Sequence, residues 1–359
     1  MKAAVLYEVK KPLVVEEVDI DPPGPGEVKV RMAATAICHS DLHMLMGDLP
    51  AKLPGVAGHE CSGYVDEVGP GVTSVKPGDH VVMAPVSGGC GHCVNCMLGL
   101  RNFCQNNKPS PPHLHTKKGV PIAPLSGPVG SFAEYVVLGE YQCAKIPDDM
   151  PMDRAALLGC AVITGFGAVI NRAQVRPFES VAVFGIGGVG VNALQGAAFS
   201  GAHPIIAVDI VDSKLKLAKT FGATHTLNSA KVKDPVQAVR DMTDGRGVDY
   251  AFIMTPSIEA VRQGASMVAQ RGMVVVVGIA MGDLSKFTAM EFIMEKVLTG
   301  SMMGSTRLQL DVPRYVEIYK AGRLKLDELI TGRYPLSRIN EAVQSSLKGE
   351  GLRNVIVFD

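Results

Sequence analysis

Hydrophobic and polar positions follow two different rhythms along the chain, and the change between them predicts the architecture. From about Arg154 onward, short continuous apolar runs at 181–184, 205–208, 225–227, 249–252 and 273–277 read as strands. Between them, apolar residues recur at helical spacing from 188 to about 200 and over 213–221, 235–242 and 258–268. Strands without polar alternation, each followed by a helix, predict a parallel sheet covered on both faces. A doubly wound nucleotide-binding domain is therefore expected over 161–302.

The first 160 residues read differently. Proline and glycine punctuate short β-branched runs such as 28–30, 63–65 and 80–82, the texture of a mainly β domain with many loops. The segment 108–130 holds six prolines and no clear periodicity, and reads as a functional or subunit-facing loop. After about Met302 the pattern loosens, and a strand over 354–358 is expected last. The uncharged stretch from 180 to 208 is long enough to span a bilayer, but its six glycines and His203-Pro204 suit strand, turn and helix in series.

Composition narrows the class. The 359 residues suggest about two domains. At 47% hydrophobic and 19% charged, the chain has ample material for a core, which excludes global disorder. With 35 basic against 35 acidic residues, no overall field draws it to nucleic acid or an anionic membrane. No apolar segment of signal-peptide length opens the sequence, so a soluble cytoplasmic protein is expected.

Four of the eight cysteines fall within fifteen residues, as Cys90-x2-Cys93-x2-Cys96-x7-Cys104. In a reducing compartment this pattern favours metal thiolates over disulfides. Two intervening residues let one loop wrap a tetrahedral ion, and four thiolates close the coordination shell, so a structural zinc is expected in a lobe over about 88–106. An iron–sulfur cluster is the competing reading, disfavoured because no second such run and no Cys-Pro follows. His92 is a bystander to a complete ligand set.

The run 181–184 leads into Gly185-Ile-Gly187-Gly188-Val189-Gly190 and then a helix, with Asp209 at the end of the next strand. Glycines permit the tight turn and close approach of a pyrophosphate to a helix N-terminus. The acidic residue suits a ribose 2′-hydroxyl and repels a 2′-phosphate, so NAD is expected over NADP. Asp212 reads as a helix cap.

Cys38-His39-Ser40-Asp41-Leu42-His43, Gly58-His59-Glu60-Cys61 and Cys160 are each unremarkable alone. Together with the four-cysteine lobe, the glycine motif, the spacing from Gly58 to Gly69 and Leu352-Arg353-Asn354, they resemble the zinc-dependent medium-chain dehydrogenase/reductase family, the zinc-containing alcohol dehydrogenases in particular. The resemblance covers essentially the whole chain. It implies a GroES-like catalytic domain over 1–160, to which 303–359 returns, and a Rossmann domain between them.

By that resemblance, Cys38, His59 and Cys160 ligate a catalytic zinc with the fourth position open, the arrangement known from alcohol dehydrogenases. Asp41 orients the His59 imidazole. Glu60 is either an alternate ligand or the partner of a nearby basic group. Ser40 and His43 would relay a proton outward. His39 and Arg353 would face the cofactor pyrophosphate, Lys214 the adenosine ribose, and Thr164, Val277 and Ile279 the nicotinamide. The implied enzyme carries two zinc ions per subunit, binds NAD and interconverts an alcohol with its aldehyde or ketone.

Val86 stands where several family members place a bulky aromatic, so a roomier pocket for secondary, cyclic or bulky substrates is expected. A polyol dehydrogenase, or a hydroxyacyl-thioester or thiol-adduct dehydrogenase of the same family, is the alternative reading. A non-catalytic nucleotide-binding protein with structural zinc alone is the alternative of another class. The expected partners are a small-molecule alcohol or carbonyl and further copies of the chain, as a dimer or tetramer. His113 and His115 lack an assigned role, and Cys61 and Cys143 read as buried small hydrophobes.

Overall fold

The protein is described from a computed structural model covering residues 1–106, 111–279, 282–284, 287, 289–349 and 351–359. The chain divides into two compact units, Met1–Cys160 with Arg307–Asp359, and Ala161–Thr306.

The second unit is built on a parallel six-stranded sheet. Its order is His225–Asn228, Ile205–Asp209, Val181–Phe184, Val248–Ile253, Val268–Val276 and Val297–Gly300. Val181–Phe184 and Ile205–Asp209 are buried along their whole length, which is why they read as unbroken apolar runs. The direction of strand addition reverses at Val181–Phe184, the switch point where such sheets bind ligands. The apolar stretch from 180 to 208 is strand, helix Gly188–Phe199 and strand, and no described helix is long and apolar enough to cross a membrane.

Two local differences from the sequence reading follow from packing. The helix Ile258–Met267 passes straight into strand Val268–Val276, five residues earlier than the expected start at 273, because Val268 pairs with Val248. The return to the first unit falls at Arg307, not 303. Gly304 lies against Ile163 and Gly167, where a Cβ would stand 1.8 Å from the Ile163 carbonyl oxygen, and Thr306 donates to that same carbonyl.

The first unit holds a seven-stranded sheet in which Glu27–Ala36 is flanked by Glu60–Val68 and Arg353–Val357. Tyr135–Gly139 also pairs with Glu27–Ala36. A five-stranded sheet contains Lys2–Val5, Val14–Ile20, Leu114–Thr116, Pro121–Pro124 and Gly55–Val56. The expected irregular loop therefore contains a hairpin, closed by Gly119 at φ +77°. Strands of three and four residues, the second with two prolines, leave too little alternation to read. Residues 108–110 of that segment lie outside the described residues. Helices Leu308–Lys320 and Ile339–Leu347 occupy the region where the pattern loosens.

Candidate functional site

Asp41 organises the dispersed ligand set. Cys38 precedes helix His39–Met46, and Asp41, in its first turn, accepts the Cys38 backbone N–H on Oδ2 at 3.0 Å. Its other oxygen lies 2.9 Å from His59 Nδ1 and accepts the Gly58 N–H at 3.0 Å and the Ser126 hydroxyl at 2.5 Å. The carboxylate is fully buried. It assigns the ring proton to Nδ1 and leaves Nε2 bare, the tautomer a metal ligand requires.

Cys160 meets Cys38 across 122 positions of the chain. Gly159 packs so closely that a Cβ would stand 2.5 Å from the Met83 carbonyl oxygen and 2.9 Å from Cys61 N. This approach brings Cys160 Sγ within 3.7 Å of Cys38 Sγ. A tetrahedral ion with Zn–S near 2.3 Å holds two sulfurs about 3.8 Å apart, so the pair is spaced as metal ligands are. A disulfide would need about 2 Å, and all eight cysteines are free. The ligand atoms of Cys38, His59 and Cys160 lie within 4.8 Å of one another, and all three residues are buried. Three ligands leave a fourth position for a reacting molecule.

The charges are interdependent. The Cys160 thiol, donating to Cys38, holds Cys38 well below its ordinary value, and the same bond with burial holds Cys160 well above its own. Burial opposes a charged His59, but Asp41 and the Cys38 thiolate outweigh it and raise the imidazole well above its usual range. Loading a divalent ion releases these protons.

Ser40 Oγ lies 3.4 Å from Cys38 Sγ and 3.3 Å from His59 Nε2. His43 is half-buried on the same helix, with Nδ1 2.9 Å from Asp48 Oδ2 and its ring edge-on to exposed His39. Asp48 was not foreseen, although the αL turn at Gly47 that folds it back is legible in Gly47-Asp48.

Glu60 stands outside the ligand cluster. Its Oε1 takes Arg353 Nε at 3.0 Å, which places it as the partner of a basic group. Burial pushes its carboxyl up to about 7 against the pull of Arg353. Arg353, expected at the pyrophosphate, is buried, and besides Glu60 it donates Nη1 to the Leu352 carbonyl.

The four-cysteine lobe is assembled as spaced. Cys90, Cys93, Cys96 and Cys104 bring their sulfurs within 4.8 Å of one another, with Cys93 and Cys104 4.0 Å apart. Backbone amides of Cys90 and Cys93 and the Asn106 side chain point at the sulfurs. His92 turns away to the Cys90 carbonyl. His113 and His115 form no metal cluster; each faces its own carboxylate, Glu27 and Asp21. Cys61 and Cys143 are buried with thiols pushed up by desolvation. Val86 is buried.

In the second unit the glycine turn fits a dinucleotide. A Cβ on Gly190 would stand 1.9 Å from the Gly185 carbonyl oxygen, so the third glycine is required for the chain to enter the helix. A Cβ on Gly187 would meet nothing within 4 Å, leaving room beside the N-terminus of Gly188–Phe199, where Val189 lies in the first turn. Asp209, at the end of Ile205–Asp209, accepts the N–H groups of Ile186, Ile210 and Val211. Asp212 opens the next helix but is no cap; it binds Asn228 at 2.6 Å and pairs with Lys231, and half-buried Lys214 follows on that helix. Thr164 donates to Met303 Sδ, Val277 N to the Ile253 carbonyl, and Ile279 is exposed.

Residues 24–148 match the alcohol dehydrogenase GroES-like domain and residues 188–321 the zinc-binding dehydrogenase domain. The chain belongs to the zinc-dependent alcohol dehydrogenase family. It is 38% identical to "Putative alcohol dehydrogenase D" of Mycobacterium tuberculosis, over 99% of each chain. Among solved structures it resembles an alcohol dehydrogenase zinc-binding domain protein from Burkholderia ambifaria, at 36% identity and TM-score 0.94, covering 100% of this chain and 98% of that one. It also resembles benzyl alcohol dehydrogenase from Acinetobacter calcoaceticus, at 34% identity and TM-score 0.91, covering 100% and 99%. Family membership makes this chain an enzyme, a zinc-dependent alcohol oxidoreductase that works with NAD.

Proposed function

We propose that the protein is an NAD-dependent alcohol dehydrogenase that holds two zinc ions per subunit, at Cys38, His59 and Cys160 for catalysis and at Cys90, Cys93, Cys96 and Cys104 for structure. The observation that carries this is the open three-ligand set whose imidazole is held by Asp41. Bound there, zinc would supply Lewis-acid chemistry to an alcohol or carbonyl oxygen and NAD the hydride exchange. Ser40 takes the hydroxyl proton, and His43, held by Asp48, passes it to solvent. Glu60 neutralises Arg353 beside the thiolates. Gly187 to Gly190 admit the pyrophosphate. Asp209 and Lys214 take the adenosine ribose, and Thr164, Val277 and Ile279 line the nicotinamide.

The substrate is a primary or secondary alcohol; the small Val86 and the likeness to a benzyl alcohol dehydrogenase favour a bulky or cyclic one. We further propose a homo-oligomer. Val297–Gly300 is the outer strand of its sheet, and Met290, Phe292, Ile293, Met294, Val297 and Met302 are exposed around it. Free cysteines set for metal suit the cytoplasm. The test is a panel of aliphatic, benzylic and cyclic alcohols followed by NADH absorbance, with zinc measured on the same sample. Two zinc per chain and NAD-linked turnover are expected; one zinc and no turnover on any alcohol would leave a nucleotide-binding protein.

A further inference from the structure

The segment between the four-cysteine lobe and residue 132 has a role that its sequence conceals. Its outer edge is tied down by polar contacts, with His113 Nε2 3.1 Å from Glu27 Oε1, His115 Nε2 2.9 Å from Asp21 Oδ2, and Lys117 paired with Asp19. Its inner side runs along the backbone that delivers His59. Ala123 N donates to the Pro54 carbonyl and Leu125 N to that of Val56, at 2.9 and 2.8 Å. Ser131 N and Phe132 N then donate to the carbonyls of Gly58 and Ala57, each at 2.9 Å. Between these rungs the chain bulges, with Gly127 and Gly130 at φ +68° and +71°, a conformation that favours glycine.

That bulge carries Ser126, which is 8% exposed and donates to Asp41 Oδ1 at 2.5 Å. The same oxygen faces His59 Nδ1 and accepts the Gly58 N–H. A fully buried carboxylate depends on such donors for its charge and its orientation. Ser126 is the one side-chain hydroxyl among the described donors to Asp41, and it comes from a segment whose flanks are pinned to the backbone ahead of His59. Without it, Asp41 Oδ1, the oxygen that faces the imidazole, loses a donor, and its hold on the ring plane changes.

We infer that Ser126 is a positioning residue of the Cys38, His59, Cys160 site, acting through Asp41 on the His59 imidazole. This rests on the reading of those three residues as a zinc site. Removing a partner of this kind weakens metal holding by about tenfold or more.

The test is zinc release from the holoenzyme to the chromophoric chelator 4-(2-pyridylazo)resorcinol, with the four-cysteine lobe providing a second, internal phase. Ser126→Ala should speed release from the Cys38 site about tenfold and leave the other phase unchanged. It should also shift the visible absorption of the cobalt(II)-substituted protein. Ser126→Thr and Ser126→Val share a shape and differ in the hydroxyl, so any strain from added volume is common to both. Slow release in the threonine variant and fast release in the valine variant supports the role. Equal release in that pair, or a wild-type release rate and cobalt spectrum in the alanine variant even with lowered thermal stability, overturns it. If Cys38→Ala retains the full zinc content of the wild type, the zinc reading itself has failed, a result distinct from a silent Ser126.

Discussion

Arg353 Nε lies 3.0 Å from Glu60 Oε1, and the two residues come from strands on either side of Glu27–Ala36. Both are buried, Glu60 at 0% and Arg353 at 7% exposure, and Glu60 Oε2 has no hydrogen-bond partner among the described residues. Such a pair is costly to break from one side, because the remaining charge cannot reach water. Arg353→Met should therefore lose about 3–5 kcal/mol in urea unfolding. The double variant with Glu60→Gln should regain a substantial part of it. An additive double loss would mean that the two charges do not support each other.

The two metal sites should separate cleanly. Cys38→Ser is expected to abolish alcohol oxidation and halve the zinc content while circular dichroism and unfolding midpoint stay near wild type. Cys93→Ser should also remove one zinc, but with a falling midpoint and loss of assembly before any specific effect on turnover, since the lobe's own apolar core is small. Elemental analysis beside thermal melts reads both.

Gly190→Ala puts a methyl where only 1.9 Å separates it from the Gly185 carbonyl oxygen. The turn must open, so NAD binding measured by calorimetry should weaken by at least tenfold. Asp209→Gly should raise the NADP to NAD ratio in kcat/KM. It also strips acceptors from the Ile186, Ile210 and Val211 amides, so a stability loss of about 1–3 kcal/mol should accompany the change. An unchanged cofactor ratio would remove Asp209 from the ribose.

Asp153, paired with two arginines, offers a pH readout of its own. Burial raises its carboxyl, but Arg154 and Arg333, donating at 2.8 and 2.9 Å, outweigh that and hold it below its ordinary 3.8. A depressed carboxylate stabilises the fold above the ordinary value and loses that contribution as pH falls through its native one. Asp153→Asn should thus cost about 1–2 kcal/mol at pH 7, with the gap to wild type constant down to about pH 5 and closing below about 4. Urea unfolding across pH 3 to 7 measures it.

What could be read from residues alone was local. A loop can close on four thiolates within fifteen positions, so Cys90 to Cys104 carry their own geometry. The turn from Gly185 to Gly190 and Asp209 at the next strand end belong to one strand–helix–strand unit, and fully buried strands advertise themselves as apolar runs. The hairpin over 114–124 has no legible period because its strands are short and the second carries two prolines. Cys38, His59 and Cys160 were legible only through resemblance, since an isolated cysteine or histidine carries no spacing.

The sequence by itself thus determined the parallel nucleotide-binding sheet, the glycine turn and the four-cysteine lobe, all encoded over stretches where neighbours in the chain are neighbours in space. Tertiary structure alone decided that Cys160 meets Cys38 across 122 positions, that Glu60 answers Arg353 across 293, and that Ser126 reaches Asp41 across 85. Those meetings depend on sheet register, on the close approach at Gly159 and on a strap zipped to residues 54–58. Each joins side chains whose chemistry has no periodic signature, so only the packed backbone could bring them together.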